Sequence, residues 1–549
     1  MKKIENNPLI YRNNKLGIFN LFLRHQGIFV TLLFILSFVL LYFSIDFSTQ
    51  SLVAHDEGLY ARRSRLVEES SNWFSPTFSS VHHKTLGSYW LIALSIRLFG
   101  FSELALRLPS ILSSFICLFI SYLIACKVTN KKSALISVFS LASMPLWIQY
   151  SRYASPDLPF VLCILLVIFF FLSFLDSNKY IYKYFYIFNS GLFFTSAFFI
   201  RSYMAFVPLI GLSPFLLFHL IRSKNIFKYI FSFGTLFGSI PTLLNLYFSY
   251  KKYGLSGITT LFDFAKKQAI GGFDLNNYIF TPINFLYLTF PIGFLFILLI
   301  VFTRSTKSQK YPLLVYFYPI SSVLILLCMS TSYPHYYLFL LPSLSILFSV
   351  KLNYEDFRFS LSAYFIKYLL FFICILIISI LFSFLLFLKD SLIEYSYGNL
   401  FIVYLLPLIL ILSYISSIYI LLIDKNYKTQ LQNFFYTVAI PQVISLSFLF
   451  NFGILGNPNY RIKSFLNDVS VSSIINSNTI YLLNVESKIQ TLLSYYLPSS
   501  KIINQNHDFS EYKYIITSNT SDFETFNDNI IFKSISRFPN HVLLINISK

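Results

Sequence analysis

Asp56 and Glu57 stand side by side in the stretch AHDEGLYARRSRLVEESSNW, residues 54–73, within a chain otherwise dominated by Leu, Ile, Phe and Tyr. A carboxylate held at a membrane's edge can orient or deprotonate an acceptor hydroxyl. It can equally cap a helix beginning there, because the macrodipole favours an ionised acid at the N-terminus. A second acid, Asp157, lies in RYASPDLPF, residues 152–160, beside Arg152 and again at the start of a long apolar run. The same two readings apply to it, and spacing alone does not show that the two acids meet. Lys84, in HHKTLGSYW at residues 82–90, is a point-charge partner for a phosphate. His82 and His83 could ligate a metal, but adjacent histidines without a matched third ligand read as ordinary loop residues.

The elements that must position these groups follow from composition. The chain has 549 residues, 56% of them hydrophobic and only 12% charged, with a mean hydropathy of +0.65. Charge so sparse cannot solubilise so large a surface, which excludes a soluble multidomain protein and indicates a polytopic membrane protein. Apolar runs of spanning length, about 17 to 25 residues, fall near 27–45, 107–126, 133–150, 157–175, 184–200, 202–221, 229–249, 282–303, 312–330, 336–350, 361–388, 400–423 and 434–452, about 13 in all. The net charge of +19 could mark a nucleic-acid binder. With the N-terminus cytoplasmic, however, Lys and Arg gather in the inward segments, including Lys2, Lys15, Lys127, Lys131, Lys179, Arg222, Lys310, Lys351 and Lys425. Topology explains the basic balance, and nucleic acid is excluded. The first apolar run is too long for a cleaved leader and lacks a small-residue cleavage site, so it is expected to remain a span. The five cysteines fall in or beside spans and read as small core residues without disulfide or metal spacing.

The expected organisation is a transmembrane domain, 1–452, with large outward loops at 46–106 and 250–281, followed by an extracytoplasmic C-terminal α/β domain, 453–549. In that domain 479–484, 512–518 and 541–548 read as strands and 486–497 as an amphipathic helix. No inverted internal repeat is evident. Residues 57–69 carry Leu59, Leu66 and Val67 roughly on one helical face and suit an interfacial helix. The stretch 88–100 is too short to span and is expected at the interface, with Tyr89 and Trp90 at headgroup depth.

The order DEGLYA, W-F-S-P, a lysine, then YWLIALSIRLFGFSELALRLPS resembles the first outward loop of membrane-embedded C-type glycosyltransferases, in particular the bacterial branch of aminoarabinose transferases and relatives of protein O-mannosyltransferases. Asp56, Glu57, Tyr60, Ala61, Trp73, Pro76, Lys84, Tyr89, Trp90, Leu98, Phe99, Gly100, Arg107, Leu108, Pro109 and Ser110 carry that likeness. More weakly, RYASPDLPF resembles the family's second acidic loop. FFIRSYMAFVPL, 198–209, stands in place of a Lys-Gly-Pro segment with Arg201 where the lysine would be. YPHYYLFLLPSL, 333–344, resembles a Pro-x-Tyr-x-Leu-Pro segment and places Tyr336 as its tyrosine. Departures are Thr85 and Leu86 where two prolines are usual, His83 where an acid is common, Leu59 for an arginine and Phe339 for a proline.

The resemblance implies an α-helical polytopic C-type glycosyltransferase fold in the bacterial inner membrane. It implies a polyprenyl-phosphate-linked sugar as donor, no cofactor or divalent metal, and transfer with inversion to a glycolipid, another envelope glycan or a protein hydroxyl. Asp56 would be the base or orienting group with Asp157 beside it. Lys84 and Arg201, or Lys266 and Lys267 of the second large loop, would stabilise the leaving phosphate near Tyr336, with Glu57, Tyr60, Arg152 and His83 as further site candidates. A lipid-linked glycan flippase is the alternative from another class, but transporters usually bury ionisable residues within their spans, and this chain keeps nearly all its charge in loops. A non-catalytic lipid-binding member is a third reading, raised by the altered Lys-Pro-Pro segment.

Overall fold

A computed structural model of the protein describes residues 51–54, 57–76, 78, 81, 84–270, 275–305, 310–329, 333–357, 360–387, 400–423, 427–451, 455, 460–475, 478–503, 512–517, 532–538 and 541–546. Asp56, His82, His83 and the first expected span, 27–45, lie outside the described residues. In chain order the first helices are α1 (Glu57–Glu68), α2 (Gly87–Phe99), α3 (Glu103–Val128), α4 (Lys131–Ser143), α5 (Pro145–Ser151), α6 (Asp157–Asp176), α7 (Tyr180–Arg201), α8 (Phe206–Arg222) and α9 (Asn225–Tyr253). Then come α10 (Ser256–Ile270), α11 (Leu275–Leu288), α12 (Ile292–Phe302), α13 (Tyr318–Leu327), α14 (Leu341–Tyr354), α15 (Ser360–Phe387), α16 (Leu400–Ile423) and α17 (Tyr427–Asn451).

Among the described residues eight helices are long and apolar enough to cross a membrane, or up to ten if two bent pairs each form one span. The differences from the expected spans have local causes. Pro145 removes a backbone donor and forces Met144 into extended backbone, so the run expected at 133–150 is α4 and α5, bent by 69°. The runs expected at 184–200 and 202–221 form one apolar stretch, Tyr180–Arg222, broken by a 3-10 turn at Ser202–Ala205. Helix starts are set by side chains where the sequence offers them: Ser102 accepts the Ala105 N–H at 3.2 Å and Asn130 accepts that of Ser133 at 2.9 Å.

Helix α6 fixes the two ends of the bundle. It runs from Asp157, paired with Arg201 at the end of α7, to Asp176, which binds Lys127 at 3.0 Å and Lys310 at 2.8 Å. At the Asp157 end, α1 and α2 pack on the C-terminal part of the chain. There α18 (Tyr460–Asn467), α19 (Val469–Ile475) and α20 (Ser487–Tyr496) accompany a five-stranded sheet. Among its strands, β3 (Tyr481–Leu483), β5 (Tyr514–Thr517) and β7 (His541–Asn546) match the expected ones. The order is β4–β3–β5–β7–β6, with β4 (Lys501–Ile502) and β6 (Phe532–Phe538) on its edges, β3 parallel to β4 and β5, and β7 antiparallel to β5 and β6. A two-stranded ribbon, β1 (Thr303–Ser305) with β2 (Glu355–Phe357), pairs at the foot of α12 and α14.

Three expectations are corrected. The buried stripe of α1 is Glu57, Tyr60, Ala61, Ser64 and Val67, leaving Leu59 and Leu66 half-buried, because small and polar side chains face α2 and α20. Tyr89 is fully buried against Tyr60 and accepts from Arg63 at 3.0 Å, while Trp90 is half-buried with its Nε1–H on the Trp73 carbonyl at 2.8 Å. Cys328 is exposed, whereas Cys117, Cys163 and Cys374 are buried.

Candidate active site

The carboxylate of Glu57 is wholly enclosed. It takes a bidentate pair of bonds from Arg107 at 2.8 Å each, and accepts the backbone N–H of Val53 at 2.9 Å and of Ala154 at 2.8 Å. One side chain thereby ties the start of α1, the span α3 and the loop after α5. A buried guanidinium in an apolar helix requires such a partner. Glu57 is thus spent on holding two acidic loops together, and the loops it joins are those of Asp56 and Asp157.

Asp157 is the first residue of α6, directly after Pro156, and its amide N–H meets Ser155 Oγ at 3.4 Å. Its carboxylate pairs with Arg201 at 2.7 Å. Arg201 is delivered by the abrupt end of α7, where Ser202 has φ +51° and the helix breaks. The guanidinium lies 5.9 Å from the Tyr336 ring centre, and Tyr336 is carried on the 3-10 turn Pro334–Leu340. Lys84 completes the cluster from the loop before α2: its ammonium donates to the Tyr60 hydroxyl at 3.1 Å and interacts electrostatically with Arg201 and Asp157. Burial pushes the Lys84 ammonium below the usual lysine range; Arg201 and Arg63 act the same way, against Tyr89 and Asp157. Beside this cluster a narrow cleft is lined by Asp157, Arg201, His335 and Tyr336, with apolar walls that include Phe160 and Phe339. Two cations, Arg201 on the wall of this cleft and Lys84 on the other side of the cluster, can hold a phosphate whose substituent is a hydrocarbon.

Of the residues expected at the site, Lys84, Asp157, Arg201, Tyr60 and Tyr336 come together. Lys266 and Lys267 stand exposed on α10 rather than within that cluster. Arg152 is buried over the Phe450 ring, on the Arg107–Glu57 side. Sequence reasoning missed Arg107 as Glu57's partner, although an arginine inside an apolar span was the signal. His335 was missed too. It is stacked between Tyr150 and Tyr333, with ring centres 5.4 and 5.7 Å away, and no spacing pattern announced it.

Residues 83–246 match the family model described as dolichyl-phosphate-mannose-protein mannosyltransferase. ArnT from Cupriavidus metallidurans bound to undecaprenyl phosphate superposes with a TM-score of 0.72 over 97% of this chain and 99% of that one, at 15% identity. Its apo state gives 0.70 over 94% and 98%, at 14%. At such identity the likeness is one of fold. The undecaprenyl phosphate-alpha-4-amino-4-deoxy-L-arabinose arabinosyl transferase of Shewanella sediminis is 29% identical over 124 residues, 22% of either chain. An uncharacterized protein of Aquifex aeolicus is 27% identical over 151 residues, 27% of this chain and 30% of that one. The alignments span less than a third of these curated relatives.

Proposed function

We propose that the chain is a member of the C-type membrane glycosyltransferase superfamily and transfers a sugar from a polyprenyl-phosphate donor to an envelope acceptor at the outer face of the bacterial inner membrane. One observation carries the proposal: Lys84 and Arg201 gather around Asp157 at one end of the bundle, beside an apolar cleft. That cleft lies in a fold shared over nearly the whole chain with a protein captured with undecaprenyl phosphate.

A polyprenyl tail dissolves in the bilayer, so the anomeric carbon is presented at headgroup depth. Lys84 and Arg201 receive the phosphate, and Asp157 aims the Arg201 guanidinium. The acceptor oxygen attacks the anomeric carbon from the face opposite the phosphate, and its bond forms as the bond to the phosphate oxygen breaks. The electron pair leaves with the polyprenyl phosphate, whose added charge the two cations offset without a divalent metal. The proton of an acceptor hydroxyl passes to Asp56; a phosphate acceptor, already ionised, needs no base. Inversion follows from the single displacement. A glycolipid of the lipid A type suits an acceptor that also enters from the bilayer.

The test offers undecaprenyl-phosphate-linked sugars to the protein in lipid and measures release of undecaprenyl phosphate. Wild type is expected to release it, and Asp56→Asn to fold, bind donor and release none. Full turnover in Asp56→Asn overturns the assignment of the base. Failure of wild type both to bind undecaprenyl phosphate and to consume any donor overturns the transferase reading.

A further inference from the structure

The residues next after Lys84 and Arg201 bind each other. Thr85 and Ser202 are both buried. The Thr85 N–H donates to Ser202 Oγ at 2.8 Å, and the two hydroxyl oxygens are also 2.8 Å apart. Thr85 Oγ1 donates to the Phe198 carbonyl at 3.2 Å, an acceptor that also takes the Ser202 N–H as α7 ends. Every proton of the pair then has a place: Thr85 gives its hydroxyl proton to Phe198, Ser202 gives its own to Thr85 Oγ1, and Ser202 Oγ receives the Thr85 amide.

Two further observations show that this contact is held against cost. Ser202 has φ +51°, a region comfortable for glycine and rare for residues with a Cβ, yet glycine would lack the hydroxyl that Thr85 binds. Two residues beyond Thr85, a Cβ on Gly87 would sit 2.5 Å from the Phe199 carbonyl oxygen, so the start of α2 is seated directly on the end of α7. Either side of this junction lie two like charges, and at Lys84 the repulsion from Arg201 outweighs the attraction of Asp157, so something other than that carboxylate must hold them close.

We propose that the Thr85–Ser202 pair is a positioning clamp that holds the Lys84 ammonium and the Arg201 guanidinium at the separation a lipid phosphate bridges. The clamp rests on the phosphate-site reading above. It acts through its neighbours and touches no substrate, and it prepays the approach of two cations that the ligand would otherwise have to enforce.

Ser202→Gly is the informative variant because it relieves φ while removing the hydroxyl. Its thermal midpoint in lipid is expected to change little, because relief of the positive φ offsets the unpaired Thr85 N–H, while affinity for undecaprenyl phosphate falls about tenfold as the two cations lose their preset approach. Thr85→Val is expected to lose affinity similarly and Thr85→Ser to restore it. A contact that only held the fold together would lower midpoint and affinity in step. The acylation rate of Lys84 against pH, followed by peptide mass spectrometry without ligand, gives a second readout: with Arg201 released, the Ser202→Gly curve moves towards that of an ordinary lysine. Wild-type affinity in Ser202→Gly together with a superposable Lys84 curve overturns the clamp. Wild type that binds no undecaprenyl phosphate overturns the transferase reading instead, and the Lys84 curve then judges the clamp alone.

Discussion

At the scale of single residues, the chemistry turns on charges that water no longer fully screens. In the proposed role, Lys84 can bind a phosphate only while protonated. Because burial lowers its pKa, affinity for undecaprenyl phosphate is full below that lowered value. Affinity is lost as pH rises through it, at a pH where a solvated lysine is still charged. Lys84→Arg keeps its charge throughout, so it is expected to hold affinity flat from neutral to alkaline pH. Fluorescence titration of both chains checks this, and identical alkaline losses would count against Lys84 as the titrating group. Glu57 makes the complementary case. Its neighbour Asp56 resembles it in the sequence, yet Glu57 has all its acceptor capacity taken by Arg107, Val53 and Ala154. Substituting it tests the scaffold, with no direct bearing on the chemistry.

At the scale of elements, that scaffold is a junction between short helices and spans. Glu57→Gln leaves Arg107 buried without its bidentate counter-charge, and the expected cost is about 3–5 kcal/mol, read as a lowered unfolding midpoint in detergent. Replacing both partners with apolar residues should recover much of it, and failure to do so would mean that the bonds to Val53 and Ala154 dominate. Gly87→Ala drives a methyl into the Phe199 carbonyl, so α2 must lift from α7. A destabilisation of about 1–3 kcal/mol is expected, with donor affinity lost because Lys84 rides on the same segment. The Pro145 bend between α4 and α5 has a local cause in the chain, since proline dictates its neighbour's backbone, although hydropathy reads 133–150 as a single span. The depth of Tyr89 has no such cause. An amphipathic side chain suits a headgroup layer or a buried hydrogen bond equally, and only the approach of Arg63 and Tyr60 decided between them.

At the scale of the molecule, the C-terminal sheet and helices are bound to the loops that carry the site. Lys463 pairs with Glu103 at 2.6 Å, and the Tyr496 hydroxyl bridges Glu103 at 3.0 Å to the Leu52 N–H at 3.1 Å. Arg65 donates to the Tyr495 carbonyl at 3.0 Å, and Leu492 and Leu493 share one apolar cluster with Tyr60, Tyr89 and Phe199. Tyr496→Phe removes both ends of the bridge at an expected cost of about 1–3 kcal/mol. Hydrogen exchange at residues 51–60 should quicken, while exchange at the Asp176 end stays unchanged. Uniform quickening across the bundle would refute local coupling between that bridge and the first loop.

Hydropathy alone established a helical bundle, its apolar runs and a final α/β segment, because the lengths of apolar runs are read directly by the bilayer and require no partner. Charge placement did the same for the basic end where Lys127 and Lys310 meet Asp176. The pairings at the other end came only with the tertiary structure. Asp157 with Arg201, Glu57 with Arg107 and Thr85 with Ser202 join positions between 44 and 117 residues apart. Nothing local favours one partner over another until helices pack and water is excluded between them.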